Sequence, residues 1–200
     1  MDERDVFVLA ERALERVVLS VRDEQWDDPL PADFALGAPR EVPPTLREVV
    51  SYHLYDDAWV PDVLAGRTMA EVGEDRYGTP TEDLLGADPG AAFSAAVERA
   101  CAAARALDDL GRTVHCSFGD FPAQEYLWQV SSFRGLRAHD LALVVGADPR
   151  LPADLVQGLW DQVSPHAEEW RAIGVFGPAV PVPDDAPLQD RLLGLTGRRP

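Results

Sequence analysis

Apolar residues recur at intervals of three and four along most of this chain, the spacing that gathers them on one face of an α-helix. Val6, Ala10, Ala13, Val17 and Val21 define such a face from Arg4 to Arg22, with charged residues between them. The stretch from Trp26 to Pro44 breaks the pattern, and its five prolines predict a long structured connection. A second helix opens at Thr45-Leu46-Arg47-Glu48, a capping box in which threonine and glutamate satisfy each other's free amides. Its buried stripe is Leu46, Val49, Val50, His53, Asp57 and Val60, and Pro61 is expected to end or kink it. The segment from Gly66 to Leu85 is polar and has no clear period.

A third helix begins at Asp88-Pro89, a cap followed by proline at the first helical position. Phe93, Ala96, Val97, Ala100, Ala104 and Leu107 form its inner stripe, and Gly111 supplies a stop. Thr113 to Phe118 is long enough only for an extended loop or a lone strand. The fourth helix should run from about Pro122 to Val145, closed by Gly146. One of its stripes is Leu127, Val130, Arg134, Ala138, Leu141 and Val145. A second, of small and polar residues, is Trp128, Ser132, Gly135, His139 and Ala142, and is expected to line a cavity or cofactor site. Pro152 to Trp170 predicts a fifth helix bent at Pro165. A Pro-rich stretch from Gly177 to Pro187 leads to a short helix at Leu188 to Leu195. The expected fold is therefore all-α. A single domain over 1–200 holds a four-helix bundle core in about 4–146 and, in about 147–200, an extra C-terminal helix and Pro-rich tail wrapped on that core.

Composition narrows function more than fold. An apolar fraction of 46% is enough for a real core. A formal charge of −17 argues against nucleic acid and against anionic membrane surfaces, since both demand basic patches. All 18 basic residues are arginine, which excludes lysine Schiff-base chemistry. Nothing resembles a signal peptide, and the longest apolar runs fall far short of a membrane span, so a cytoplasmic location is expected. Cys101 and Cys116 make no disulfide framework. Cys101 sits in an alanine-rich helical pattern as a small core residue. Cys116 follows His115, but neighbours in an extended segment point to opposite faces, which makes a poor nucleophile pair.

Three stretches carry a family resemblance: Leu46 to Leu54 (LREVVSYHL), Arg137 to Gly146 (RAHDLALVVG) and the tail from Gly174 to Pro200. Together they resemble an actinobacterial group of DinB-like bundles related to the metal-binding domain of mycothiol-dependent maleylpyruvate isomerase. The resemblance implies a zinc-like divalent metal held by a histidine of the second helix and a Glu-x-x-x-His pair of the fourth. Residues four apart share a helix face, and three protein ligands leave one position open for water or a thiolate. His53 matches the first ligand and His139 the last. Gly135 stands at the glutamate position, so Asp57, one turn after His53, is the candidate third ligand, ahead of Asp56.

Three functions are open from these residues, the last a purely structural or partner-binding bundle that rests only on the lack of a complete site. In the first, the chain acts on a small-molecule substrate as a thiol-dependent transferase or isomerase, with metal on His53, Asp57 and His139, mycothiol as co-substrate, and Trp128, Ser132 and Gly135 near the cofactor. In the second, it is a metal-free small-molecule-binding protein with a degenerate site. Gly135 is either a close helix contact or space vacated for a ligand. Arg134 and Arg137 either bind an anionic substrate or pair with the surplus acids. Trp59 and Trp128 also fit an ordinary core. A homodimer stays open as the assembly.

Overall fold

Asp2 caps the first helix, its carboxylate accepting from the backbone amides of Arg4 at 3.0 Å and Asp5 at 3.3 Å. The computed structural model describes residues 1–31, 34 and 42–200. From that cap α1 runs over Glu3–Val18, stopping one turn short of the sequence expectation because a 3₁₀ turn at Asp23–Gln25 takes over. The expected connection over 26–44 falls partly outside the described residues. Its first part runs beside the start of α2 (Leu46–Leu64), with Pro29 and Thr45 bridged and Thr45 and Glu48 forming the expected capping box.

Pro61 does not end α2. The helix continues to Leu64, because proline removes only one amide donor while Val63 and Leu64 gain a buried apolar setting. A short α3 follows at Met69–Val72. Then α4 (Pro89–Ala106) starts at Asp88 with proline in its first turn, and all six residues of its predicted inner stripe are buried. Thr113 to Phe118 does not stay single-stranded. β1 (Thr113–Cys116) pairs antiparallel with β2 (Gly119–Pro122), in register Thr113–Pro122 to Cys116–Gly119. A partner strand spelled Gly-Asp-Phe-Pro lacks the β-branched alternation that would announce it.

α5 (Ala123–Val145) closes at Gly146, whose φ of 76° is the left-handed end that glycine permits. The predicted fifth helix is broken near Pro165 into α6 (Ala153–Val163) and α7 (Ala167–Ala172), and α8 spans Leu188–Leu195 as expected. The described residues are thus mostly helical with one two-stranded sheet. None of their helices is long and apolar enough to cross a membrane.

α1 packs along α5 and α4, and α4 packs along α2. α6 lies on α1 and α5, and α8 lies on α6. The circuit is weakest between α2 and α5, which come close at few backbone positions. The buried apolar side chains form two clusters stacked along the helices. One holds Leu14, Val50, Phe93, Leu141 and Leu159, and the other holds Phe7, Val60, Ala104 and Leu127. Where the two meet, α1, α2 and α5 each contribute charged or polar side chains.

Candidate functional site

Arg134 is the largest fully buried side chain among the described residues. Burying a guanidinium costs several kcal/mol unless its hydrogen bonds and charge are met. Here α2 meets them. Nε and Nη2 donate to Asp57 Oδ1 at 3.0 and 2.6 Å, and Nη1 donates to His53 Nδ1 at 2.7 Å. Nη2 also reaches the His53 carbonyl at 3.4 Å. Glu11 of α1 stands 3.4 Å from Arg134 Nε, and Asp56 Oδ2 stands 3.6 Å from Nη2. Glu11, His53 and Asp57 have no solvent exposure, and Asp56 keeps a third of its side chain exposed.

The protons of this cluster can be placed. Burial, then the Asp57 charge, pushes the Glu11 carboxyl well above its ordinary range, so Glu11 holds a proton. Burial raises Asp57 too, but Arg134 opposes the rise, and Asp57 carries the negative charge. A proton on Glu11 would supply a donor toward Asp57, whose Oδ2 otherwise has none. Burial and the Arg134 and Arg137 charges hold His53 well below its usual value. It is neutral, accepts at Nδ1, and carries its proton on a buried Nε2 that has no acceptor. Burial pulls Arg134 downward, yet the carboxylates beside it, Asp57 foremost, more than offset it, so the guanidinium stays charged.

His53 and Asp57 therefore converge, but on a cation the chain itself supplies. His139 does not join them. It lies five residues beyond Arg134, roughly 7.5 Å along the helix and turned about 140° away. Its Nδ1 donates to the Pro149 carbonyl at 3.0 Å, and its Nε2 is buried without a partner. No group of three or more His, Cys, Asp or Glu side chains among the described residues is placed to hold a metal ion. The expected donor set does not fit a dication. Two of its members are engaged by a fixed positive charge, and the third points into another part of the fold.

The second stripe of α5 differs from its expected role as a cavity wall, because the C-terminal extension covers it. A Cβ on Gly135 would lie 2.6 Å from Leu159 Cδ1 of α6, so the glycine marks close helix packing. Ser132 donates back to the Trp128 carbonyl at 2.8 Å. Trp128 stacks on Trp170 at 4.7 Å and on His166 at 5.3 Å. Asp140, next to His139, forms a two-pronged ion pair with Arg198 of the tail at 2.9 Å. Two of the stretches that carry the family resemblance thus hold each other in place.

The open space lies on the other side of α5. A cavity of about 800 Å³ sits between α2 and α5, with the hairpin at one end and residues 170–175 at the other. Its walls are Tyr52, Tyr55, Asp56 and Trp59 of α2, and Glu125, Tyr126, Gln129, Phe133 and Arg134 of α5. Phe118, Phe121, Trp170, Ile173 and Val175 complete it. Phe118, Ile173 and Val175 are more than half exposed, so its rim is apolar. Such a rim on a chain so rich in acids marks a place of contact. Cys116 also lines the wall, but burial raises its thiol and its S–H donates to the Gly119 carbonyl. His115 pairs with Asp120 at 2.8 Å. Arg137 stacks over Phe34 at 4.6 Å.

Sequence reading missed Glu11 and the aromatic wall. Glu11 lies four residues after Phe7 and three before Leu14, inside a helical face whose other members are apolar, and that was its signal. Tyr52, Tyr55, Asp56 and Trp59 share one face of α2 in the same way. No protein-family model matches the chain, and neither does a curated protein nor a solved structure.

Proposed function

We propose that this chain is a metal-free small-molecule-binding protein built on a helical bundle, the second of the functions open from its sequence. The cavity between α2 and α5 carries this reading. It has the volume, aromatic lining and few convergent polar groups of a ligand pocket. The cluster below it serves as a rigid floor, because Arg134 ties α2 to α5 where their backbones barely meet. The DinB-like resemblance belongs to the same reading: a related framework in which a guanidinium stands between histidine and aspartate. Metal-dependent thiol transfer with mycothiol requires three donors at one point, and His139 is held elsewhere.

The test uses a neutral environment-sensitive dye such as Nile red. The wild-type protein should bind it saturably at one site per chain. Val130→Trp, which fills the cavity from a half-buried wall position, should abolish binding while shifting Tm by only a few degrees. Equal binding by the variant would place the dye outside the cavity and defeat the proposal.

A further inference from the structure

The charges of the cavity wall are unbalanced. Among the described residues its one basic side chain is Arg134. Hydrogen bonds to Asp57 and His53 engage all three guanidinium nitrogens, and the Asp57 charge offsets that of Arg134. Asp56 lies outside those hydrogen bonds, 3.6 Å from Arg134, with a third of its side chain open. Glu125 adds a second carboxylate, which accepts from the neutral amide of Gln129 at 3.3 Å. An ionised Asp56 therefore leaves the empty cavity with excess negative charge in a partly desolvated setting.

Around Asp56 stand aromatic rings. Tyr52 and Trp59 lie one turn to either side of it on α2, and Phe133 and Tyr126 come from α5. The faces of such rings carry negative potential and attract cations, most strongly where water is excluded. An anion would meet Asp56 and Glu125 with no free positive charge to offset them. A neutral ligand would leave Asp56 with only a share of a guanidinium that Asp57 already offsets. The −17 charge of the whole chain also draws cations toward the mouth.

We infer that the cavity takes an organic cation with an apolar body: its ammonium group beside Asp56 near the Tyr52 and Trp59 rings, its body toward the apolar rim. This rests on the reading of the cavity as a ligand site and names the class of ligand. Burial holds the Asp56 carboxyl up to about 6, so it is charged in mildly alkaline solution.

The experiment compares three probes of one skeleton by calorimetry at pH 8: phenethylammonium, 2-phenylethanol and phenylacetate. The cation should bind about ten-fold more tightly than the alcohol, and phenylacetate most weakly. Asp56→Asn should bring the cation to within about three-fold of the alcohol and leave the alcohol unchanged. Tyr52→Leu should weaken the cation more than the alcohol, and it tests the same point if the asparagine variant folds poorly. If the alcohol or carboxylate binds as tightly as the cation, or if both variants weaken cation and alcohol equally, the cation assignment falls and the cavity remains a ligand site. If none of the three binds, the cation assignment falls, and the Nile red titration decides the ligand-site reading separately.

Discussion

The two faces of α5 use polar residues in opposite ways. Toward α2, a long charged side chain spans a gap: Arg134 reaches His53 and Asp57 across helices whose backbones stay apart, and open space remains beside it. Toward α6, small residues close the gap: Gly135 lets Leu159 approach until no side chain fits between. The residue type at each position decides whether the neighbouring helix is held near or far. A cavity can persist only on the side where the spacer is long, rigid and fully hydrogen-bonded.

The largest expected effect comes from removing that spacer. Arg134→Met should destabilise the chain by about 3–5 kcal/mol in urea unfolding, because it strands the Asp57 charge in the core. Arg134→Met with Asp57→Leu should recover most of the loss, since an apolar pair of similar volume needs no compensation. If the double variant is as unstable as the single one, the cluster is not the electrostatic unit described above.

On the packed face, Gly135→Ala should cost about 1–3 kcal/mol even though alanine is the better helix former by about 1 kcal/mol. Gly135→Glu should cost more and gain no zinc affinity, because the new carboxylate enters the Leu159 contact. A stabilised alanine variant would mean that α6 is free to retreat.

The pH dependence of the floor sharpens the same contrast. Glu11 has a folded value above its unfolded one, so between the two the native state holds the extra proton and stability falls as pH rises. A glutamine side chain in its place has no such proton to lose. The stability of Glu11→Gln relative to wild type should therefore grow with pH through this window, by at most about 1.4 kcal/mol per pH unit. His53 works in the other direction. It stays neutral in the fold, and stability is lost as pH falls below its unfolded value, equally in both proteins. A pH-independent difference between them would remove the proton from Glu11.

The smallest effect belongs to the tail. Arg198→Ala breaks a partly exposed pair with Asp140 and should cost about 1 kcal/mol or less, with proteolysis of the tail accelerated more than global unfolding.

Much of this fold was legible because helix ends and buried stripes are local. The Thr45–Glu48 box, the Asp88-Pro89 start, the Gly146 stop and the Leu188–Leu195 helix all rest on a few adjacent residues. The site was less legible because it depends on which helix faces which. His53, Asp57 and His139 sit in inward stripes as expected, but sequence spacing cannot say that Arg134 points at the first two and Pro149 faces the third. Gly135 likewise fits an emptied ligand position until α6 is seen against it. Glu11 shows the reverse case: a charge at an apolar register position is a local signal of burial, and the sequence reading passed over it.

At the centre of the account, the Arg134 guanidinium sits between His53 and Asp57, and the metal-free proposal rests on it. Elemental analysis of protein purified without a histidine tag tests this most directly. Zinc, iron, manganese, nickel and copper together should amount to well under one equivalent per chain, and Arg134→Met should not change that. A full equivalent of any one of them, lost on His53→Ala, would contradict the account.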